Sequence, residues 1–211
     1  MYNPPSFAEH DVTVMHGFIE AHPLAALVTA SSSGLFATHL PLVLDRALGP
    51  HGTLQGHIAR ANPHHELAGD GVEALVLFTG ADSYVTPSMY ATKAKHGKVV
   101  PTWNYVAVHA HGTLRFVRDP DALRRHLTRL TARHEASRPQ PWSITDAPSD
   151  YIEKQLRAIV GVEIEIARLE GKWKMSQNRS AEDVDGVIEG LGASANVRER
   201  EVAAIVKARR K

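Results

Sequence analysis

The segment VAVHAHGTLRFV, residues 106–117, decides the fold class of this chain. Its apolar and small side chains fall at every second position, which is the pattern of a β-strand with one buried face. The segment VEIEIARL, residues 162–169, alternates in the same way between apolar residues and glutamates. Shorter apolar runs bounded by turn-forming residues predict further strands at residues 24–30, 35–44, 52–59 and 73–79. Many strands at short spacing favour a β-barrel over a doubly wound parallel sheet.

Helical periodicity appears in four places, all outside these strands. It predicts a helix at residues 11–21 and a second at residues 119–135, which Asp119 caps. Two further helices are predicted at residues 180–191 and in the basic tail, residues 196–211. The pattern therefore predicts a mainly β protein with peripheral helices.

Composition and charge exclude several classes of function. The 211 residues include 24 lysines and arginines against 23 aspartates and glutamates, so general attraction to nucleic acid or membranes is excluded. The chain has no cysteine, which excludes disulfides, thiolate metal sites and a cysteine nucleophile. The first residues do not resemble a signal peptide, and no apolar run approaches the ~20 residues of a membrane helix. We expect a cytoplasmic protein that does not contact a membrane.

Three segments combine cationic, amide or hydroxyl, and aromatic side chains. They are residues 57–63, residues 84–105 and residues 172–179. A phosphate group is bound by arginine, lysine and hydroxyl donors, and a flat ring system needs apolar walls and amide groups at its edge. The three segments therefore indicate a site for a phosphorylated planar heterocycle, although residues of these types also form ordinary turns. No glycine-rich dinucleotide or P-loop motif is present.

Other candidate chemistries are weaker. His109 and His111 share a strand face and His64 and His65 are adjacent, but neither spacing is typical of a metal site, so we expect no metal. Ser88 lacks the surrounding glycines of a nucleophile elbow and is more plausibly a hydrogen-bond donor.

The predicted helix at residues 119–135 has a basic face that could contact DNA phosphates. Its arginines are Arg124, Arg125, Arg129 and Arg133. No helix-turn-helix spacing precedes it, so a solvated basic surface explains the pattern at least as well.

Four strings identify a family resemblance that covers essentially the whole chain. They are ATHLPL at 37–42, GHIARANP at 56–63, VPTWNY at 100–105 and KWKMSQNR at 172–179. Together and in this order they resemble the PaiB-type FMN-binding negative transcriptional regulators. The resemblance implies a six-stranded Greek-key split β-barrel that binds FMN at the interface of a homodimer. It places the barrel domain at residues 1–175 and a helical extension, which completes the site and the dimer, at residues 176–211.

The resemblance also implies roles for individual residues. Thr38 and His39 would lie beside the flavin ring, and His57, Arg60 and Asn62 would contact the phosphate and ribityl chain. Ser88 and Tyr90 would add a hydroxyl donor and a ring wall. The partner subunit would supply Trp103, Asn104, Tyr105, Lys174, Ser176, Gln177 and Asn178.

The function implied by the resemblance is negative regulation of transcription by an FMN-binding homodimer. The alternative is an FMN-dependent oxidoreductase acting on a small molecule, since bound flavin itself carries redox chemistry. A tetrapyrrole-binding split barrel with a ligand such as His109, and a barrel that serves as a scaffold without a ligand, are further alternatives.

Overall fold

The computed structural model describes residues 1–32 and 34–210. Its strands are β1 (Ala8–Glu9), β2 (Leu24–Ser31), β3 (Gly34–Pro41), β4 (Val43–Asp45), β5 (Thr53–Ala59), β6 (Val72–Val85), β7 (Thr102–Val117) and β8 (Ile159–Lys174). Its helices are α1 (Val12–Ala21), α2 (His64–Leu67), α3 (Thr92–His96), α4 (Pro120–Glu135), α5 (Ser149–Arg157), α6 (Ala181–Gly192) and α7 (Val197–Ala208). Short 3-10 turns lie at Pro87–Met89 and Ile144–Asp146. None of the described helices is long and apolar enough to cross a membrane.

The strands form one sheet in the order β3-β2-β6-β7-β8-β5-β4, and β1 pairs with β8. All pairs of known register are antiparallel, including Val28 opposite Ala37 and Gln55 opposite Glu163. Gly112 is required where β7 passes β8, because a Cβ there would lie 2.2 Å from the carbonyl oxygen of Glu165.

The alternating faces of β7 and β8 form much of the core. Val108 and Leu114 on β7 are fully buried, as are Ile164 and Ile166 on β8. These are the apolar members of the two alternating segments, so their predicted inward direction is confirmed. Burying such aliphatic side chains contributes about 1.5–3 kcal/mol each before conformational entropy is counted.

The mainly β architecture with peripheral helices is confirmed, but its elements differ in detail from the sequence-based expectation. The described residues contain eight strands rather than six. The single strand predicted at residues 35–44 is two strands, because the chain leaves β3 after Pro41 and resumes pairing at β4. Helix α5 was not predicted, and β7 and β8 extend beyond their alternating segments into polar sequence.

The chain divides into two compact units. The first comprises Met1–Met15, Thr79–His109 and the described residues from Glu170 onward. The second comprises His16–Phe78 and Ala110–Leu169. The division at residue 175 that the resemblance implies stays a prediction.

Candidate functional site

Two groups of the predicted cofactor residues form hydrogen-bonded clusters, one within each unit. In the second unit, the Thr38 cluster comprises Thr29, Thr38, Asn62 and His64. Asn62 Nδ2 donates to Thr38 Oγ1 at 3.1 Å, and His64 Nδ1 lies 2.8 Å from the same hydroxyl. His64 Nε2 lies 2.9 Å from Thr29 Oγ1. The cluster therefore fixes the side chains of Thr38 and Asn62 on a buried histidine.

His64 was not among the predicted cofactor residues. Its side chain is fully buried, and burial lowers the pKa of His64 and favours the neutral ring. The sequence feature that could have indicated a role for His64 is the turn-forming segment Asn62-Pro63-His64. In it the Asn62 side-chain oxygen accepts a hydrogen bond from the His64 backbone N–H at 3.0 Å. That contact turns the chain into α2 and brings the His64 ring under β3.

The remaining predicted residues of the second unit have separate surroundings. Arg60 is exposed, and its guanidinium donates to the carbonyl oxygens of Arg157 at 2.7 Å and Ile159 at 3.2 Å. His57 Nδ1 lies 3.2 Å from His126 Nε2 on α4, and burial lowers the pKa of both rings. His39 is exposed on β3.

In the first unit, the Lys174 cluster comprises Tyr90, Trp103, Asn104, Lys174, Ser176 and Arg179. Lys174 Nζ donates to Thr102 Oγ1 at 2.5 Å and to the Trp103 carbonyl at 2.7 Å. Burial lowers the pKa of Lys174, and the positive charges of Lys172 and Arg179 lower it further. Among the described residues no carboxylate pairs with Lys174, so an anionic group placed here would be stabilised.

The turn after β8 presents the polar residues of this cluster. Ser176 has a φ of 64°, the left-handed region that costs a residue with a side chain about 1–2 kcal/mol. Its hydroxyl is 3.0 Å from Asn104 Nδ2, and Asn104 is fully buried. Gln177 closes the turn, because its amide oxygen accepts from Met175 N at 2.7 Å and its amide nitrogen donates to Trp173 O at 2.6 Å.

Tyr90 provides a buried polar atom without a partner. Its ring is 2% exposed, and its hydroxyl makes no hydrogen bond with the described residues. Burial raises the pKa of Tyr90, an effect that nearby Arg179 opposes. The Arg179 guanidinium carbon lies 4.5 Å from the Tyr90 ring centroid. Arg179 therefore belongs to the cluster, although the sequence-based list of cofactor residues omitted it.

Exposed aromatic rings lie beside this cluster. Trp103 and Tyr84 are each 49% exposed, with ring centroids 6.1 Å apart. Trp103 is held by a hydrogen bond from its indole N–H to Asp82 at 3.0 Å. Tyr105 lies beneath Lys172 Nζ, 5.3 Å from the ring centroid. An exposed, fixed indole supplies an apolar wall for a planar ligand.

Of the predicted residues of the first unit, Asn178 and Ser88 also lie outside the Lys174 cluster. Asn178 is exposed, and Ser88 is an exposed residue of the Pro87–Met89 turn. The Ser88 hydroxyl lies 2.8 Å from Thr86 Oγ1, and Thr86 caps that turn.

The basic face of α4 is largely engaged within the chain. Arg124 pairs with Glu153, and Arg129 Nη1 lies 2.9 Å from Asp45 Oδ2. Arg133 donates to the Glu20 carbonyl at 2.9 Å. Arg125 makes no ion pair within the described part of the chain, so its guanidinium is available to an external partner.

The donor chemistry of the two clusters fits FMN. Within the described residues, the Lys174 cluster provides cations that no carboxylate pairs with, a buried hydroxyl without a hydrogen-bond partner and an exposed indole, which suit an anion and a flat ring. The Thr38 cluster provides an ordered hydroxyl and amide of the kind that binds a polyol or phosphate.

Comparisons with known proteins agree with this chemistry. The sequence profile of the family described as "Putative FMN-binding domain" matches residues 1–168. An uncharacterized protein of Aspergillus fumigatus is 36% identical over 95% of this chain and 97% of its own length. The Bacillus subtilis protease synthase and sporulation protein PAI 2 is 30% identical over 98% of this chain and 97% of its own.

A solved structure supports the same fold. The flavocytochrome Anf3 from Azotobacter vinelandii has a TM-score of 0.57 and 15% sequence identity, covering 79% of this chain and 69% of Anf3. At that identity the likeness concerns the fold, and it confirms the split-barrel class. The profile match over most of the chain and the full-length relatives determine the family. The chain belongs to the FMN-binding domain family, and its cofactor is FMN.

Proposed function

We propose that the protein is a homodimer in which FMN lies at the subunit interface, bound by the Lys174 cluster of one chain and by residues of the Thr38 cluster and its surroundings of the other. Lys174 and Arg179 would face anionic or electron-rich groups of FMN, and Trp103 would cover one face of its ring. Thr38, Asn62 and Arg60 would bind the phosphate and ribityl chain. The observation that supports this most directly is the ammonium of Lys174, with which no carboxylate of the described residues pairs, in the same cluster as a buried Tyr90 hydroxyl that has no hydrogen-bond partner among those residues.

The activity we propose is an FMN-dependent oxidation or reduction of a small molecule. FMN supplies hydride or one-electron chemistry when it is bound. The chain's own residues would bind and orient the flavin, and the exposed Tyr84 ring leaves an apolar surface beside the cluster for a second planar or apolar molecule. A positive charge at Lys174 would favour electron uptake by the neighbouring ring electrostatically.

Flavin reduction tests this activity. Purified holoprotein is mixed anaerobically with NADH or NADPH, and the flavin absorbance is followed in a stopped-flow instrument. We expect bleaching that saturates with the concentration of the nicotinamide, followed by recovery when an electron acceptor is added. Bleaching no faster than that of free FMN with both nicotinamides would contradict the reductase activity.

The second candidate function is negative regulation of transcription. It is supported by the full-length match to PAI 2 and by the family resemblance of the four sequence strings. Arg124 and Arg129 on the α4 face are already paired with carboxylates, which would leave fewer arginines for DNA phosphates than the sequence alone indicates. A DNA complex should weaken steeply with salt and should lose affinity in Arg125→Gln. Sequence-specific binding of DNA, together with no loss of flavin absorbance on mixing with NADH or NADPH, would favour the regulator over the oxidoreductase.

A further inference from the structure

A cavity lies within the second unit, between α4 and the strands β5 and β8. Its volume is about 580 Å³, which is the size of a site for a small molecule. None of the residues predicted to bind FMN lines it. Its walls combine apolar side chains such as Leu123 and Val162 with polar ones from both strands and the helix.

Two of the charged residues that line the cavity, one cation and one anion, have no ion-pair partner among the described residues. Arg124 and Arg129 line the cavity but pair with Glu153 and Asp45. Within the described residues, Arg125 on α4 and Glu163 on β8 have no ion-pair partner. A positive charge on the helix and a negative charge on the sheet therefore face one cavity, each available to a ligand.

The sheet side of the cavity also has unused hydrogen-bond acceptors. Gln55 donates through Nε2 to Glu163 Oε1 at 2.8 Å, which orients the amide and the carboxylate together. Gln55 is 7% exposed, and its Oε1 has no hydrogen-bond partner among the described residues. A buried acceptor without a donor is unfavourable, so a cationic donor bound here would satisfy it.

We propose that this cavity binds a small zwitterion with an apolar side chain, of the α-amino acid class. The ammonium group would donate to Glu163 and Gln55, and the carboxylate would accept from Arg125. The side chain would pack against Leu123 and Val162. An anion alone would meet the uncompensated Glu163 carboxylate, and a cation alone would meet Arg125, so the wall selects against both. The proposal does not rest on the FMN site: the two share no residue, although His126 in the cavity wall lies 3.2 Å from the predicted FMN residue His57.

Isothermal titration calorimetry on the FMN-loaded protein tests the proposal. The probes are L-leucine, L-methionine and L-phenylalanine. Two analogues of leucine carry a single charge each: isoamylamine lacks the carboxylate, and 4-methylpentanoate lacks the ammonium group. We expect saturable binding of at least one amino acid at millimolar or lower concentration. The amine and the acid should bind at least about tenfold more weakly, since each lacks one charge-assisted contact.

Two pairs of variants locate the site. Glu163→Gln and Arg125→Gln should each weaken amino acid binding at least about tenfold. Their matched controls, Glu73→Gln and Arg115→Gln, change exposed strand residues outside the cavity and should bind as the parent does. The flavin absorbance of each sample reports its FMN content, so loss of the cofactor is distinguished from loss of the second site.

Three results would overturn the proposal. The first is that none of the three amino acids gives a heat of binding or raises the Tm of the protein. The second is an affinity for leucine equal to that for isoamylamine or for 4-methylpentanoate. The third is unchanged affinity in both Glu163→Gln and Arg125→Gln while circular dichroism shows a folded protein.

Discussion

At the scale of single residues, Lys174 gives the candidate FMN site its electrostatic character. Its ammonium donates to backbone and hydroxyl oxygens and lies near the positive charges of Lys172 and Arg179. Keeping such a charge partly buried costs free energy in the free protein, and an anionic ligand would offset that cost. Removing the charge should therefore affect FMN binding more than folding.

We expect Lys174→Met to raise the Kd for FMN about ten- to a hundredfold, the loss of one charge-assisted contact. The measurement is a titration of apoprotein into FMN, followed by quenching of flavin fluorescence. Lys93→Met is the matched control, because Lys93 is an exposed lysine of the same unit. Equal affinity in Lys174→Met and the parent protein would remove Lys174 from the proposed site.

Ser176 combines a strained backbone with a buried hydrogen bond, and two substitutions separate these effects. Ser176→Ala keeps the φ of 64° and leaves the buried Asn104 amide without its partner, so the free energy of unfolding should fall by about 1–3 kcal/mol. Ser176→Gly loses the same contact but removes the left-handed strain, and should be less destabilised than the alanine variant by about 1 kcal/mol. Urea unfolding of the apoproteins measures both. A glycine variant less stable than the alanine variant would show that the strain is negligible.

At this scale the sequence predicts part of the candidate site, and the roles of its residues stay predictions. Lys174, Ser176 and Asn104 lie in segments that mix charged, hydroxyl and amide groups, and the family resemblance assigns FMN contacts to them. The structure joins Asn104 and Ser176 by a hydrogen bond. His64 was not predicted to act there, because its role depends on contacts with Thr29 and Thr38, which are distant in sequence. Contacts of this kind follow from strand register, which local patterns do not specify.

At the scale of elements, α6 holds the Pro87–Met89 turn that precedes Tyr90. A Cβ at Gly186 would lie 2.0 Å from the Met89 carbonyl oxygen, so the helix and the turn can approach only at a glycine. Asp183 on the same helix accepts from the Thr92 backbone N–H at 3.0 Å and the Thr92 hydroxyl at 2.8 Å. Helix α6 therefore contacts the chain both before Tyr90, at Met89, and after it, at Thr92.

Gly186→Ala should lower the free energy of unfolding by about 1–3 kcal/mol through overpacking, and should weaken FMN binding by displacing Tyr90. Gly192→Ala is the control, since the nearest atom to its added Cβ is Ala203 Cβ at 4.0 Å. The control should keep or slightly gain stability, by up to about 1 kcal/mol, because alanine is the better helix former. Thermal unfolding and FMN titration measure the two effects. If both variants have the same stability and the same affinity for FMN, the close approach of α6 to the turn does not contribute to either.

The packing of α4 on β5 should make stability depend on pH. The main cause of the low pKa of His126, about 4, is burial, and the charges of His57 and Arg129 add to it. In the unfolded chain the pKa of histidine is about 6.5, so between these values the unfolded state binds more protons. The free energy of unfolding should therefore be constant above about pH 7 and fall as the pH drops towards 4, by on the order of 3 kcal/mol.

Urea unfolding at a series of pH values measures this dependence. His126→Gln should flatten the decrease between pH 6.5 and 4, the window set by the two pKa values. His134→Gln should leave the decrease unchanged, because His134 is exposed on the same helix. An equally steep decrease in His126→Gln would assign the pH dependence to other groups.

The sequence predicted elements well where one periodic face is buried and less well where it is not. The alternation at residues 106–117 and 162–169 was sufficient for the central parts of β7 and β8. Their ends, including Trp103, Asn104 and Lys174, are polar or aromatic and do not alternate, although backbone pairing continues through them. Helix α5 was missed because it buries just two apolar side chains, Ile152 and Leu156, in a largely polar segment.

At the scale of the whole molecule, the proposed homodimer should couple FMN binding to subunit association. Strand β3 is at one end of the sheet order, and Leu35 on it is 79% exposed. An apolar side chain on an edge strand is a surface that a second chain can cover. If each FMN contacts two chains, it binds the dimer in preference to the monomer and must stabilise it by mass action.

Light scattering coupled to size exclusion should give a mass of twice 23.1 kDa for the holoprotein. FMN should raise the Tm, the Tm should rise with protein concentration, and dilution into monomers should release flavin with the same concentration dependence. Apoprotein that dissociates at a higher concentration than holoprotein would be the direct sign of this coupling. A monomer that retains stoichiometric FMN would show that one chain holds the complete site. In that case the two-chain proposal would be wrong.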